Sequence, residues 1–276
     1  MSDSYYEVVD SGDARGERFT ASDLVRSTWS AANQHAAPVS ALLTRAMERC
    51  GQRDDTRLSR VSVDLLGGVP ADGEFWVNAQ VQRGGRQIEL VGAEMLAPGP
   101  DGRPRPVAKA TGWRMLALDT AALRHAPEPL LRPLSKAHSR DMTKNRDRNY
   151  VYSVDWRWLT SPLNDGPGEA WLRPTVDLVS GEAMTPLQRL FTVADCANGL
   201  GSRLDIRKWT FLNTDLVVHV HRVPEGEWTG IRAETSYGPD GIGATTGTLF
   251  DEKGSVAAIA QSVLIRPRPD RTGAKA

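Results

Sequence analysis

The chain repeats itself, and an internal repeat limits architecture more tightly than any local pattern. Residues 57–120 contain RLSRVSVDLLGGVPADGEFW, NAQVQRGGRQIELVGAEML and RPVAKATGWRML, which read as four strands separated by Gly, Pro and Asp turns. Residues 208–267 keep the same order as KWTFLNTDLVVHVHRVPEGEW, GIRAETSYGPDGIGATTGTLF and GSVAAIAQSVLIRP, with Val-Pro ahead of a Trp in both copies. A helix-like segment precedes each block. Residues 30–50 carry Val39, Leu42, Leu43, Ala46 and Met47 at helical spacing, and residues 185–200 carry Leu187, Leu190, Phe191, Ala194 and Ala197. Pro38 and Pro186 suit first-turn positions. Further strand-rich pieces stand ahead of both helices, SYYEVVDSG with ERFTAS and YVYSVDWRWLT with EAWLRPTVDL.

One helix followed by a meander, made twice, leaves each helix only its own curved antiparallel sheet on which to bury its apolar face. The expectation is an α+β fold of the double hotdog type, two tandem helix-plus-antiparallel-sheet units. These occupy 1–120 and 149–270, with a linker at 121–148 and a disordered tail at 271–276. The linker carries Pro127, Pro129 and Pro133 and the basic residues Lys144, Arg146 and Arg148. It reads as a partly helical, solvated connection, or as a cradle for nucleotide phosphates.

Charge narrows the partners. With 34 Lys and Arg against 34 Asp and Glu, nothing draws the chain to nucleic acid or to an anionic membrane. No stretch approaches the roughly 18 apolar residues of a membrane span, and MSDSYYEVVDSG lacks a basic start followed by an apolar run. A cytoplasmic protein without membrane insertion is expected. Cys50 and Cys196 stand far apart and read as small buried residues. His219 and His221 share a strand face without a third ligand, so neither a metal nor another cofactor is expected. Homo-oligomerisation stays open.

The passages WSAANQHAAPVSALLTRAMER, RVSVDLLGGVP with QVQRGGRQ, GEAMTPLQRLFTVADCANGL, NTDLVVHVHRVPEGEW and AAIAQSVLIR together resemble the acyl-CoA thioesterases of the double-hotdog, thioesterase II type, in the form common in actinobacteria. The resemblance covers nearly the whole chain. It implies hydrolysis of acyl-CoA to a carboxylic acid and CoA. It also implies a catalytic trio made of an acid in the second helix, a small polar residue in the next strand and a glutamine in the last strand. These fall on Asp195, Asn213 and Gln261. Asn213 departs from the Thr or Ser often found there, and His35-Ala36-Ala37 replaces a His-Gly-Gly helix start.

The residues themselves point the same way. Thioester hydrolysis needs an activated water and a donor for the developing oxyanion. Asp195 falls at the margin of its helix's apolar stripe, so it is expected to be partly buried with hydrogen-bond partners or a shifted pKa. Gln261 is the one long polar side chain in the apolar run GSVAAIAQSVLI. Alternation alone leaves open which face of its strand Asn213 occupies. Aligning the copies sets Asp195 against Met47, Asn213 against Ser62 and Gln261 against Gly112, which leaves one active site per chain. Backbone N–H groups near His35, Ala36 and Ala37 suit a thioester oxygen. Arg83 and Arg86 flank the Gly84-Gly85 turn, where they either meet CoA phosphates or form a solvated hairpin tip. The acyl chain is expected in a tunnel between helix and sheet. The rival readings are a non-catalytic binder of acyl-CoA or another hydrophobic ligand, and an enoyl-thioester hydratase, whose close Asp and His pair the sequence does not display.

Overall fold

The structure, a computed structural model, describes residues 4–139, 149–161, 163 and 165–268. Lys144, Arg146, Arg148 and the tail at 271–276 lie outside the described residues. The first copy comprises β1 (Ser4–Asp13), β2 (Gly16–Ala21), α1 (Ala36–Arg49), β3 (Thr56–Leu65), β4 (Glu74–Arg83), β5 (Ile88–Pro98) and β6 (Pro104–Leu116). After a short β7 (His138–Ser139), the second comprises β8 (Val154–Trp158), β9 (Gly168–Pro174), β10 (Asp177–Val179), α2 (Pro186–Ala194), α3 (Ala197–Gly201), β11 (Trp209–Asn213), β12 (Asp215–Val220), β13 (Thr229–Tyr237), β14 (Ile242–Asp251) and β15 (Gly254–Pro267).

The strands form one sheet in the order β10-β1-β2-β4-β5-β6-β3-β12-β15-β14-β13-β9-β8-β7, with β11 also paired to β15. Read outward from the β3–β12 junction, β3-β6-β5-β4-β2-β1 and β12-β15-β14-β13-β9-β8 mirror each other strand for strand. That order is the structural form of the sequence repeat. Within each copy the pairing is antiparallel, and β1 pairs in parallel with β10 of the other copy.

This continuity alters one expectation. The helices do not sit separately on their own sheets: α1 and α2 pack along one another. Val39, Leu42, Leu43 and Met47 of α1 join Leu190, Phe191 and Val193 of α2 in a single apolar core. The physical reason is the β3–β12 pairing, which fuses two concave faces into one. Each fully buried side chain of this size contributes about 1.5–3 kcal/mol by leaving water. Arg45 of α1, 2 % exposed, ties the copies further by pairing at 2.7 Å with both Glu17 and Glu182. The described part of the linker is mostly exposed with two short 3-10 turns, as expected, and is anchored at one point. Leu131 is buried with Leu159, Trp171 and Phe250, and Trp171 Nε1 donates to the Arg132 carbonyl at 2.8 Å.

The helices are also shorter than the periodicity predicts. Residues preceding α1 form an irregular approach pinned by the Arg26–Gln34 and Asn33–Pro70 bridges. The second helical segment breaks at Asp195 and Cys196 into α2 and α3. At the break, Cys196 N–H donates to Val193 O at 3.0 Å, and the Thr192 carbonyl instead accepts the Tyr150 hydroxyl at 2.5 Å. A side chain inserted into the helical ladder is a recognised cause of such breaks.

Candidate active site

The break turns Asp195 inward. Only 6 % exposed, its carboxylate lies between two strands and the start of α1. Oδ1 accepts from Asn213 Nδ2 at 2.7 Å and from Gln261 Nε2 at 3.1 Å. Gln261 Nε2 also stands 3.3 Å from the Asp195 carbonyl, and Asn213 Nδ2 donates to the Asp215 carbonyl at 3.2 Å. Burial pushes the Asp195 pKa up to about 6, against the opposing pull of the two amide donors.

Asn213 reaches this site because its strand is irregular. Asn213 pairs with Val263 and Val217 with Ala260, so one extra residue is accommodated between them. Such an insertion reverses the alternation of faces. Asn213 and Phe211 therefore share the interior with Leu216 and Val218, which unbroken alternation sets on the opposite face.

Asp195 Oδ2 faces His35 Nδ1 at 3.4 Å. This contact is not an ion pair. Nδ1 spends its one lone pair on the Ala37 N–H at 3.1 Å and burial lowers the His35 pKa to about 3, so the imidazole is neutral and offers the carboxylate no proton from that nitrogen. His35 stacks on Tyr150 with ring centroids 3.9 Å apart. Tyr150, which had no local signal in the sequence, therefore sets both the helix break and the histidine plane. The Ala37 N–H is engaged by His35, while Ala36 at the first helical position has no helical acceptor for its N–H. Two buried acceptors, Gln261 Oε1 and Asn198 Oδ1, have no hydrogen-bond partner among the described residues.

The first copy answers this site with apolar side chains. Leu58 pairs with Arg114, Arg60 pairs with Trp113, and one extra residue is again accommodated between them. If Gly112 corresponds to Gln261, Arg114 corresponds to Val263, and the strand registers set Leu58 rather than Ser62 against Asn213. Space confirms the equivalence. A Cβ added at Gly112 would lie 2.7 Å from Leu58 Cδ2 and 3.2 Å from Met47 Sδ. Met47, Leu58 and Gly112 thus meet as Asp195, Asn213 and Gln261 do, without a polar group among them.

The remaining candidates lie elsewhere. Arg83 and Arg86 are exposed at the β4–β5 hairpin, whose tip is tied by Arg53 to the Gly85 and Arg86 carbonyls at 3.0 and 2.9 Å. Arg53 follows the C-terminal end of α1, a helix about 20 Å long at 1.5 Å per residue, so the hairpin adjoins the end opposite His35. Burial raises the Cys196 thiol pKa, and Cys50 shifts in the same direction for the same reason. His221 Nε2 lies 3.0 Å from the Ser255 carbonyl. Among the described residues, no three His, Cys, Asp or Glu side chains gather as a metal ion would need, and no helix is long and apolar enough to cross a membrane.

Two helix-and-sheet units sharing one sheet define a double-hotdog α+β protein. The model of the acyl-CoA thioesterase N-terminal domain matches residues 25–115, and that of the acyl-CoA thioesterase C-terminal domain matches residues 127–265. The chain belongs to this thioesterase II-like family of acyl-CoA thioesterases and is a thioester hydrolase. It is similar in structure to a Thermobifida fusca protein provisionally named thioesterase II, with TM-score 0.72, 19% identity and coverage of 95% of this chain and 96% of that one. A hot dog protein of unknown function from Alicyclobacillus acidocaldarius gives TM-score 0.75 at 14% identity, covering 94% and 96%. The acyl-CoA thioesterase II TesB2 of Mycobacterium marinum gives 0.60 at 16% identity, covering 78% and 83%. No curated protein matches the sequence.

Proposed function

We propose that the chain hydrolyses acyl-CoA with a water activated by Asp195 and oriented by Gln261 and Asn213. The observation that carries this reading is the division of labour at the carboxylate. Oδ1 is saturated by the two amide donors, whereas Oδ2 and the unpartnered Gln261 Oε1 are free to accept both hydrogens of one water. A carboxylate titrating near 6 is ionised at neutral pH yet basic enough to take a proton in the transition state.

In this mechanism Oδ2 removes a proton as the water oxygen bonds to the thioester carbon. The Ala36 N–H and the positive end of α1 face the resulting oxyanion. The intermediate collapses with cleavage of the C–S bond, and the proton passes from Asp195 to the departing thiolate. The Asp and His pair required by the hydratase alternative does exist in space, but its two acceptor atoms face each other directly. An open groove of about 560 Å³ lined by Leu204, Trp209, Tyr237 and Ile265 adjoins the packed cluster of Phe211, Val263 and Ile265 on the strands that carry Asn213 and Gln261, and the acyl chain is assigned to it.

Free-thiol release from a panel of saturated acyl-CoAs, without added metal, tests the reading, with crotonyl-CoA hydration measured alongside. Gln261→Ala should slow turnover roughly 30- to 1,000-fold, equivalent to about 2–4 kcal/mol in the transition state. Hydration of crotonyl-CoA without thiol release would overturn it.

A further inference from the structure

We propose that a cavity between the C-terminal end of α1 and the N-terminal end of α2 is a second, non-hydrolytic binding site for a CoA-type ligand, a phosphate-bearing arm ending in a thiol or thioester. The inference rests on the acyl-CoA reading above. The cavity measures about 410 Å³, within the usual range of about 300–1,000 Å³ for small-molecule sites.

Its position repeats the active site through the mirror order of the sheet. In one copy Asp195, at the end of α2, meets His35 at the start of α1. In the other, Glu48 near the end of α1 meets the start of α2, accepting from Thr185 Oγ1 at 3.0 Å and Gln188 Nε2 at 2.7 Å. Thr185 Oγ1 reaches both Glu48 oxygens, and Gln188 adds a second donor to Oε2. The sheet positions beneath are Leu58 and Gly112, which supply no amide to orient a water. The pocket holds a carboxylate with a hydroxyl and an amide donor from α2, but the sheet beneath it contributes no polar side chain at the positions matching Asn213 and Gln261.

The walls select the ligand. Leu58, Leu187 and Val223 form an apolar side, and of the cations there Arg49 is paired with Glu182 at 3.0 Å and Arg53 with Asp55 at 3.1 Å, which leaves Arg57 to meet an anion. Arg57 is half-buried and donates only to the carbonyls of Val220 and His221, both at 2.9 Å. Among the described residues it has no carboxylate partner, and burial depresses its pKa, so a bound anion would relieve it. The Arg53 tether also brings the Arg83–Arg86 hairpin tip to this end of the molecule.

Titration calorimetry of the full chain with a non-hydrolysable S-alkyl CoA thioether provides the test, with melting temperature recorded for each variant. Wild type should bind two equivalents per chain. Val223→Trp, which fills the cavity, and Arg57→Met, which removes the cation, should each reduce this to one equivalent with the remaining Kd unchanged. S-alkyl pantetheine, lacking the nucleotide phosphates, should lose at least tenfold in affinity at the second site, and a simple fatty acid should not compete there. One equivalent bound by wild type would overturn the proposal, as would two equivalents of unchanged affinity in folded Arg57→Met. Two equivalents bound by a chain that hydrolyses no acyl-CoA would remove the hydrolytic reading and leave this site standing. Hydrolysis with one equivalent bound would do the reverse.

Discussion

At the scale of single residues, Asp195 combines an unfavourable location with a chemical role, and the two separate by pH. Its folded pKa near 6 exceeds the ordinary value of 3.8, so the folded state holds the proton more tightly. The resulting stability is fully present below about 4 and is lost as pH rises through about 6. Two pKa units correspond to about 3 kcal/mol. Asp195→Asn should therefore raise the melting temperature at pH 8 and lose that advantage near pH 4. An asparagine oxygen can accept the same two amides while its NH₂ faces His35 Nδ1. His35 acts in the opposite sense, since its depressed pKa costs stability as pH falls, so the variant must be compared with wild type at each pH. In parallel, wild-type kcat should rise with pH through about 6 and then level off. Gln261 was legible in the sequence because one long amide stood in an apolar strand. Asn213 was named only through the family resemblance, and the face it occupies was not legible, because the inserted residue that reverses it depends on pairing with β15.

At the scale of elements, the decisive feature is the break between α2 and α3. Periodicity read the two as one helix because Leu187, Leu190, Phe191, Ala194 and Ala197 keep helical spacing across it. The Tyr150 hydroxyl holds the break open from outside the local sequence, and no helix-stop signal accompanies it. Removing that hydroxyl in Tyr150→Phe leaves a buried carbonyl unpartnered, at a cost of about 1–3 kcal/mol. The expected result is a lower melting temperature together with a lower kcat at nearly constant KM, because Asp195 follows the turn that Tyr150 holds. A normal kcat in the folded variant would show that the break does not depend on the hydroxyl. Strand order and both helices were legible from the repeat, whereas the bulges and the break arise from contacts distant in sequence.

At the scale of the whole molecule, duplication yields one sheet, one core and two unequal ends. The β3–β12 pairing that joins them leaves no sequence signature, since either strand could serve as an edge. The asymmetry was legible by aligning the copies, although sheet register was needed to identify Leu58 as the counterpart of Asn213. Met47→Leu, a volume-conserving change at the position matching Asp195, should leave kcat near wild type and cost less than about 1.5 kcal/mol of stability. A large loss of turnover there, with folding intact, would point to a second hydrolytic centre. The claim of one centre per chain built on Asp195 is tested most directly by thiol release from Asp195→Asn at saturating acyl-CoA, with binding of the thioether analogue measured on the same preparation. Turnover should fall roughly 100- to 10,000-fold with the thioether Kd unchanged, whereas wild-type turnover in a folded, ligand-binding Asp195→Asn chain would contradict it.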